Sequence, residues 1–592
     1  MKKLLLLCIF TAGIFYCRAQ IFGENQFRNL GILEKELQQA KTPEEKTNAL
    51  ISLYHYHSRH NDSSNIKAVV DYSDQLEVFT HQTNDPELIA RAHFNLTFTP
   101  NKEELKIRID RLHAFAKLHK LSYYQALAKA RESFYYFAYQ PDQNKTNQSL
   151  NEAINFTKGL NDSLKTVIYL FAGNSYTHMN NHLQALQLAF EANEIATKMR
   201  SWFLMARGNS LFANIYAKLK DYNKSIEYRL RELPLLRMLN KPHILAERHG
   251  LVARDYFFSN QAVLGNYHLH EAYRLADSIQ GSKRLYNQIT GVTLPGLLNS
   301  NYKEILKDFL KKYRRHFFIF SGYQLIDHSL LAEAYEKTGN IDSARHMVSR
   351  AGVYLSGNVS AGDRKYYFYV LALVASYDKN WNVAAGNYKK SLQIALSQNN
   401  LADCIKANDS LINTLIKQNM FQEASYYYKL GDSLQSELAK QTDKEDITRQ
   451  EVASFEKEKE LQAIEKEKEK NQRHNLQYLG ITFGVVALFI SLLVMGIFKV
   501  SPRTIKILSF FSFLLFFEFI FLIFKKQIAV ITHGEPWMDL AFMVLLAAVM
   551  VPLHHWGEHK VVAYLSSKKF SFSAIKTSKH RTVSKKQIVN ES

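Results

Sequence analysis

The feature that most constrains this 592-residue chain is a ladder of evenly spaced tyrosines. Tyr136, Tyr176, Tyr216 and Tyr256 are each 40 positions apart, and Tyr335 follows 79 positions after the last of them. The interval of 79 leaves room for one irregular unit around residues 295–296. Periods of roughly 20 to 50 residues are typical of arrays in which each repeat is one small supersecondary unit.

Small residues accompany the ladder, three positions before and nine positions after the large residue. A small residue on one helix lets a second helix approach closely, while the large residue fills the space between neighbouring pairs. Only 23 Gly and 10 Pro occur in the chain, which favours long helices joined by short turns. We therefore predict an all-α solenoid of helical hairpins, with the tyrosines in its core. The predicted repeat positions are Gly173, Tyr176, Ala185, Tyr216, Tyr256, Ala332, Tyr335, Ala344, Tyr377 (paired with Gly386) and Ala424 (paired with Leu415).

This order of small, aromatic and small residues resembles the tetratricopeptide repeat. The segments that begin at Gly173 and Ala332 match it best, and Thr338-Gly339-Asn340 matches the turn between its two helices. The period is longer than the roughly 34 residues of that family, so longer helices are expected. The resemblance covers about residues 120 to 440 and implies a superhelix whose concave face binds peptides or protein segments.

The N-terminus has the pattern of a secretory signal peptide over residues 1–19, with Lys2 and Lys3 before an apolar run and Ala19 at the expected cleavage point. Cleavage would leave Cys404 as the one thiol, so packing alone would have to hold the mature chain together. Residues 20–120 are expected to form helices that cap the array, and residues 121–440 the solenoid itself.

Beyond the solenoid, residues 441–475 are heavily charged, with alternating Glu and Lys at 456–460 and 465–470, and predict a charged helical stalk with a weak coiled-coil stripe. Three apolar segments, 478–498, 507–524 and 538–556, then predict a bundle of transmembrane helices. With basic residues in the first short loop and in the tail 557–592, the C-terminus would be cytoplasmic. The expected location is the inner membrane, multi-pass, with the large N-terminal domain in the periplasm.

An ionisable cluster at the end of the third segment suggests a second class of function. His554, His555, Glu558 and His559 include the HxxEH order of one zinc-peptidase class, and Glu518 lies within the second segment. The pattern is short, and Glu518 would lie at a different depth from the histidines. No metal site is therefore predicted, and these residues remain weak candidates for a membrane enzyme or transport component.

No nucleotide-binding loop, hydrolase elbow or kinase signature occurs in the sequence. The formal net charge of +20 is scattered along the chain, which does not favour nucleic-acid binding. The plan is similar to tetratricopeptide membrane sensors of Gram-negative, Bacteroidota-like bacteria, but it lacks their kinase or DNA-binding output domain. We predict a scaffold or receptor without catalysis or cofactor that binds a periplasmic protein or peptide. A separate signalling partner could be reached through the spans or the basic tail.

Overall fold

The computed structural model describes residues 27–58, 63–99, 101–300, 302–314, 324–356 and 359–495, together with scattered positions from 501 to 563. The predicted signal peptide lies outside the described residues. Two compact units divide the chain, residues 1–454 and residues 455–592. Every regular element in the described residues is a helix, so the prediction of an all-α chain of helical hairpins is confirmed there.

The helices follow one another with short connections. In chain order they are α1 (Leu30–Gln39), α2 (Pro43–Ser58), α3 (Ser63–Gln82), α4 (Pro86–Leu96), α5 (Lys102–Leu118), α6 (Ser122–Ala138), α7 (Gln143–Asn155), α8 (Asp162–His178), α9 (His182–Lys198), α10 (Trp202–Lys218), α11 (Tyr222–Met238), α12 (Pro242–Phe258), α13 (Ala262–Ser278), α14 (Lys283–Asn299), α15 (Lys303–Tyr313), α16 (Gln324–Thr338), α17 (Ile341–Gly352), α18 (Ala361–Tyr377), α19 (Trp381–Ser397), α20 (Leu401–Lys417) and α21 (Phe421–Met495). A short 3₁₀ helix, Phe156–Gly159, separates α7 from α8.

The constant period has a simple geometric origin. The six helices from α8 to α13 are each 17 residues long, and each is joined to the next by three residues. The middle residue of each connection has a positive φ, as at Asn180 (58°), Asn240 (50°) and Asn260 (63°). Asn tolerates this left-handed conformation better than most residues other than Gly. Two helices and two connections thus make one repeat, and the helices are longer than those of the shorter tetratricopeptide unit.

Each connection closes with the same backbone hydrogen bond. The N–H of Asn181 donates to the carbonyl of Tyr176 at 2.9 Å, and Gln261 donates to Tyr256 at 2.8 Å. This bond across five residues, with a left-handed residue before its donor, is the Schellman arrangement that ends a helix. The donor residue can then cap the next helix, as the Asn181 side chain does by accepting from the Gln184 N–H. The connection therefore ends one helix and starts the next within three residues.

The same bond identifies the ladder residue of each hairpin. Its acceptor is the carbonyl of Tyr335 in α16 and the carbonyl of Leu415 in α20, which are the residues that the ladder predicts. In α18 the acceptor is Ala375, bonded to the Asn380 N–H at 2.9 Å, so Tyr377 lies two residues beyond the ladder position. Tyr377 is accordingly 58 % exposed. The sequence favoured the wrong residue because the large residue at this position is replaced by Ala375, and a neighbouring tyrosine imitates it.

Within residues 27–454, the first helices of successive hairpins lie on the inner side of the array. Most of these even-numbered helices contact the next one, for example α8 with α10, α12 with α14 and α16 with α18. The second helices of successive hairpins make at most isolated contacts. A stack in which only one layer is in mutual contact curves with that layer inside. The even-numbered helices therefore form the concave face.

The last helix, α21, is 75 residues long. Its first turns complete the hairpin with α20, where Ala424 and Leu434 are buried in a common core cluster. Further along, the Arg449 Nε donates to the carbonyl of Leu219, in the connection after α10, at 3.0 Å. Val452, one turn later, is 1 % exposed. The segment from 446 to 452 thus lies against the array, and the idea that the following residues act as a stalk stays a prediction.

The predicted membrane location requires correction. In the part of the chain that the structure describes, no helix is both long enough and apolar enough to cross a bilayer. The prediction depended on hydropathy along the sequence, whereas a span also needs one continuous apolar helix. Residues 478–495 are the end of the largely charged helix α21, and the segments 507–524 and 538–556 are described only at scattered positions. The prediction of a multi-pass inner-membrane protein, with its large domain in the periplasm and a cytoplasmic C-terminus, is therefore wrong.

The two glycines that the sequence placed at one repeat position should respond oppositely to a methyl group. A Cβ on Gly265 would lie 2.7 Å from the Phe257 ring and 3.2 Å from the Ala253 carbonyl, whereas a Cβ on Gly386 would meet nothing within 4 Å. We expect Gly265→Ala to destabilise the array by about 1 to 3 kcal/mol because the buried ring cannot move away. Gly386→Ala should stabilise it by about 0.5 to 1 kcal/mol through helix propensity.

Thermal unfolding followed by circular dichroism measures both changes, and each variant serves as the control for the other. Equal shifts of the two midpoints in the same direction would contradict the register assigned to these two hairpins.

Candidate binding groove

Two neighbouring cavities open on the concave face between α8, α10 and α12. Their volumes are about 330 Å³ and about 290 Å³, and both are lined by Asn174 and Asn214. We call them the cationic cavity and the aromatic cavity, and together the groove. The cationic cavity is lined by Asn174, Thr177, His178, Asn214, Ala217, Lys218, Tyr222, Arg254 and Phe258. The aromatic cavity is lined by Phe27, Asn174, Phe203, Ala206, Arg207, Ser210, Leu211, Asn214, Glu232, Leu236, Lys241, Ile244, Glu247 and Arg248.

The groove exists because α10 and α12 stand apart. These two helices contact each other at most at isolated residues, in contrast to α12 and α14, which are closely packed. Both cavities lie beside this gap and are lined by residues of α8, α10 and α12. A concavity between helices of an array is a usual position for a ligand site.

The repeat places three polar side chains in one row of the groove. Asn174, Asn214 and Arg254 are 40 positions apart, each two positions before a ladder tyrosine. The amide of Asn174 donates to the Leu170 carbonyl of its own helix at 2.8 Å. That bond leaves its side-chain oxygen as an acceptor, while the Asn214 oxygen accepts from Arg229 at 3.2 Å and leaves an amide donor. The row therefore offers both acceptors and donors along the groove.

The lining of the groove carries an excess of positive charge. Five cationic side chains (Arg207, Lys218, Lys241, Arg248 and Arg254) stand against two carboxylates (Glu232 and Glu247). Burial lowers the pKa of Arg207 to about 10. Burial also lowers the pKa of His178, and the nearby Lys218 adds to this effect. Clefts lined by one sign of charge concentrate ligands of the opposite sign.

Both carboxylates of the lining are engaged by Arg248. Its Nε donates to Glu232 at 2.8 Å, and its terminal nitrogen pairs with Glu247. Although burial opposes it, the attraction of the two carboxylates raises the pKa of Arg248. The acidic side chains of the groove are thus held by one arginine of the lining, which limits how far they can repel an acidic ligand.

A buried ionic network under the groove fixes the position of Arg254. The carboxylate of Asp255 is fully buried and accepts from Ser225 at 2.6 Å, from Arg229 at 2.7 Å and from Arg254 at 2.7 Å. Ser225 and Arg229 belong to α11, whereas Arg254 and Asp255 belong to α12. The network therefore couples the partner helix of α10 to the wall of the cationic cavity.

Apart from the exposed Tyr377, the predicted repeat positions lie in the packed interior rather than in the groove. Tyr176, Tyr216 and Tyr256 are each less than 9 % exposed, and Ala185, Ala332, Ala344 and Ala424 are buried. Tyr335 is half-buried against the central core cluster. The Gly173 Cα lies close to Leu211, where an added Cβ would be 2.6 Å from that side chain. None of these residues lines either cavity.

The weak metal candidates are described only in part. The rings of His555 and His559 contact each other edge to face, with centroids 4.9 Å apart. His554, Glu558 and Glu518 lie outside the described residues. Among the positions that are described, no group of three or more His, Cys, Asp or Glu side chains could hold a metal ion.

The Asp255 network gives a prediction about stability. Asp255→Asn removes the charge that balances two guanidinium groups, and the loss of one partner of a buried ion pair costs about 3 to 5 kcal/mol. We expect the amides of α11 and α12 to lose that much protection in hydrogen exchange. Asp342→Asn removes a carboxylate that is 93 % exposed and paired with Arg345, and should change protection by less than about 1 kcal/mol. Equal losses in both variants would contradict the role given to the network.

No protein-family model matches the sequence, and no characterised protein of similar sequence is found. Solved structures resemble the helical array at a distance. A Rap protein complexed with competence and sporulation factor has 12 % identity, covers 69 % of this chain and 99 % of its own, and has a TM-score of 0.37. Aspartyl phosphate phosphatase F from Bacillus subtilis has 15 % identity, covers 66 % and 93 %, and has a TM-score of 0.35. A signal transduction ATPase with a tetratricopeptide repeat sensor from Pyrococcus horikoshii has 12 % identity, covers 69 % and 66 %, and has a TM-score of 0.30. At these scores the likeness carries no argument about function.

Proposed function

We propose that this chain is a binding or scaffolding protein that holds an extended segment of a partner protein in the groove between α8, α10 and α12. The observation that carries the proposal is the row of Asn174, Asn214 and Arg254, which recurs with the repeat and whose two asparagines line both adjoining cavities. A ligand that contacts one side chain on each of three successive hairpins must itself be extended. A polypeptide backbone has this property.

The chemistry of the row supports a peptide rather than a small molecule. An Asn amide presents one acceptor and two donors, and so can pair with the C=O and N–H of a peptide group. Such contacts bind a backbone without selecting its sequence, and neighbouring pockets supply selectivity. Here the excess of cationic side chains selects for carboxylates, because charge complementarity favours opposite partners and suppresses like-charged ones. The expected partner segment is therefore extended and acidic.

The test uses peptides selected on the full-length chain from a random displayed library, with their affinities measured by calorimetry. The double variant Asn174→Ala/Asn214→Ala should weaken binding at least tenfold, because each lost hydrogen bond is worth about 1 kcal/mol. Gln187→Ala is the matched control, since Gln187 is exposed on α9 and bonds only Glu191 in the described structure. Peptides that bind the double variant as tightly as the unaltered chain would overturn the proposal.

Charge selectivity is checked with the same peptides. Lys218 is exposed at the edge of the cationic cavity, so Lys218→Glu should weaken binding and reduce its dependence on salt. Selected peptides without acidic residues, or affinities that do not change between low and physiological salt, would contradict the acidic class of partner.

A further inference from the structure

The aromatic cavity is bounded by a residue from the other end of the chain. Phe27 precedes the first helix, yet it lines this cavity together with Phe203 and Ile244, which belong to α10 and α12. Its side chain is 3 % exposed and belongs to the same core cluster as Ala246, Tyr273 and Leu285. A residue of the N-terminal segment is thus buried at the concave face, among helices that lie far along the sequence.

The backbone of Phe27 is held as a bound peptide would be. Its carbonyl accepts the N–H of Ser282, the N-cap residue of α14, at 3.1 Å. The next residue, Arg28, pairs with Glu36 of α1. Contacts within the N-terminal segment therefore begin directly after Phe27. Phe27 therefore combines a buried aromatic side chain with a backbone hydrogen bond to the array, which are the two elements of peptide recognition in a groove.

We propose that Phe27 is a built-in occupant of an aromatic subsite, which a partner segment must take over with an aromatic side chain of its own. The inference rests on the proposed function and specifies the partner: an extended acidic peptide with one aromatic anchor. Buried aromatic anchors carry much of the energy of such interfaces. Because a tethered segment has an effective concentration in the millimolar range, it competes strongly with a free peptide. The N-terminal segment therefore sets a threshold for partner binding.

The probe is a fluorescent synthetic peptide that copies residues 23–34 of this chain, GENQFRNLGILE. Its binding to the full-length chain is followed by anisotropy. In Phe27→Ala the subsite is vacated, and the probe should bind at least tenfold more tightly than it binds the unaltered chain. The same peptide with Ala in place of Phe27 should bind the Phe27→Ala chain no more tightly than it binds the unaltered chain. Phe137→Ala, which removes a ring that is 41 % exposed on α6, is the control variant and should leave the affinity unchanged.

A second variant keeps an apolar side chain in the subsite. Phe27→Leu fills the space less completely than an aromatic ring and changes neither the array nor the probe. The probe should then bind with an affinity between those of the unaltered chain and Phe27→Ala. Circular dichroism establishes that both variants are folded. If Phe27→Ala does not fold, the affinity gain of Phe27→Leu decides the question.

Folded variants that bind the probe no better than the unaltered chain would overturn the inference. It would also be overturned if the unaltered chain dimerised in ultracentrifugation and Phe27→Ala did not, because Phe27 would then serve a second copy. Failure here is distinguishable from failure of the proposed function. Library-selected peptides that depend on Asn174 and Asn214 but are indifferent to Phe27→Ala would leave the groove as the binding site and remove only the subsite.

Discussion

The three-residue connection with one left-handed residue is the constraint on which the rest of the array depends. A helix that closes with a Schellman bond must stop at a fixed residue, and a cap two positions beyond the last helical turn must start the next helix. In α8 to α13 this gives every helix the same length. In α8, α10 and α12 the acceptor of that bond is a ladder tyrosine, whose buried ring packs in the core. The 40-residue period of the sequence thus follows from the fixed lengths of the helices and their connections.

A constant period has a consequence for the concave surface. When every repeat has the same length, equivalent positions of successive even-numbered helices come into line, and one position becomes a row. In α8, α10 and α12 the position two residues before the ladder tyrosine lines the groove and is not fully buried. It is therefore available for function, and in three successive hairpins it holds Asn174, Asn214 and Arg254. The scaffold supplies spacing, and the row supplies chemistry.

The features that follow from local packing could be predicted from the sequence, whereas those that depend on contacts between distant hairpins could not. The hairpins, their turn at Gly339 and most ladder residues follow from local spacing, and the one misplaced position, Tyr377, fails because Ala375 lacks the bulk that marks the ladder. The polar row of the groove could have been predicted from the sequence, since it lies at a constant offset from the tyrosines. The gap between α10 and α12 was not, because helix separation depends on side chains of several hairpins together. The membrane prediction shows the opposite error, in which apolar runs were taken as spans on hydropathy alone.

The burial of Phe27 adds a property that a repeat alone cannot provide. A periodic array is similar at every hairpin, so it does not determine by itself where along its length a ligand should bind. Around α10 and α12 the structure departs from this equivalence through three coincident features: separated helices, a buried ionic network that orients Arg254, and an aromatic side chain from the N-terminal segment. The first opens the surface, the second positions Arg254, and the third bounds the apolar end of the groove. Because Asn174 and Asn214 line the same cavity as Phe27, a ligand that displaces Phe27 must also meet the polar row.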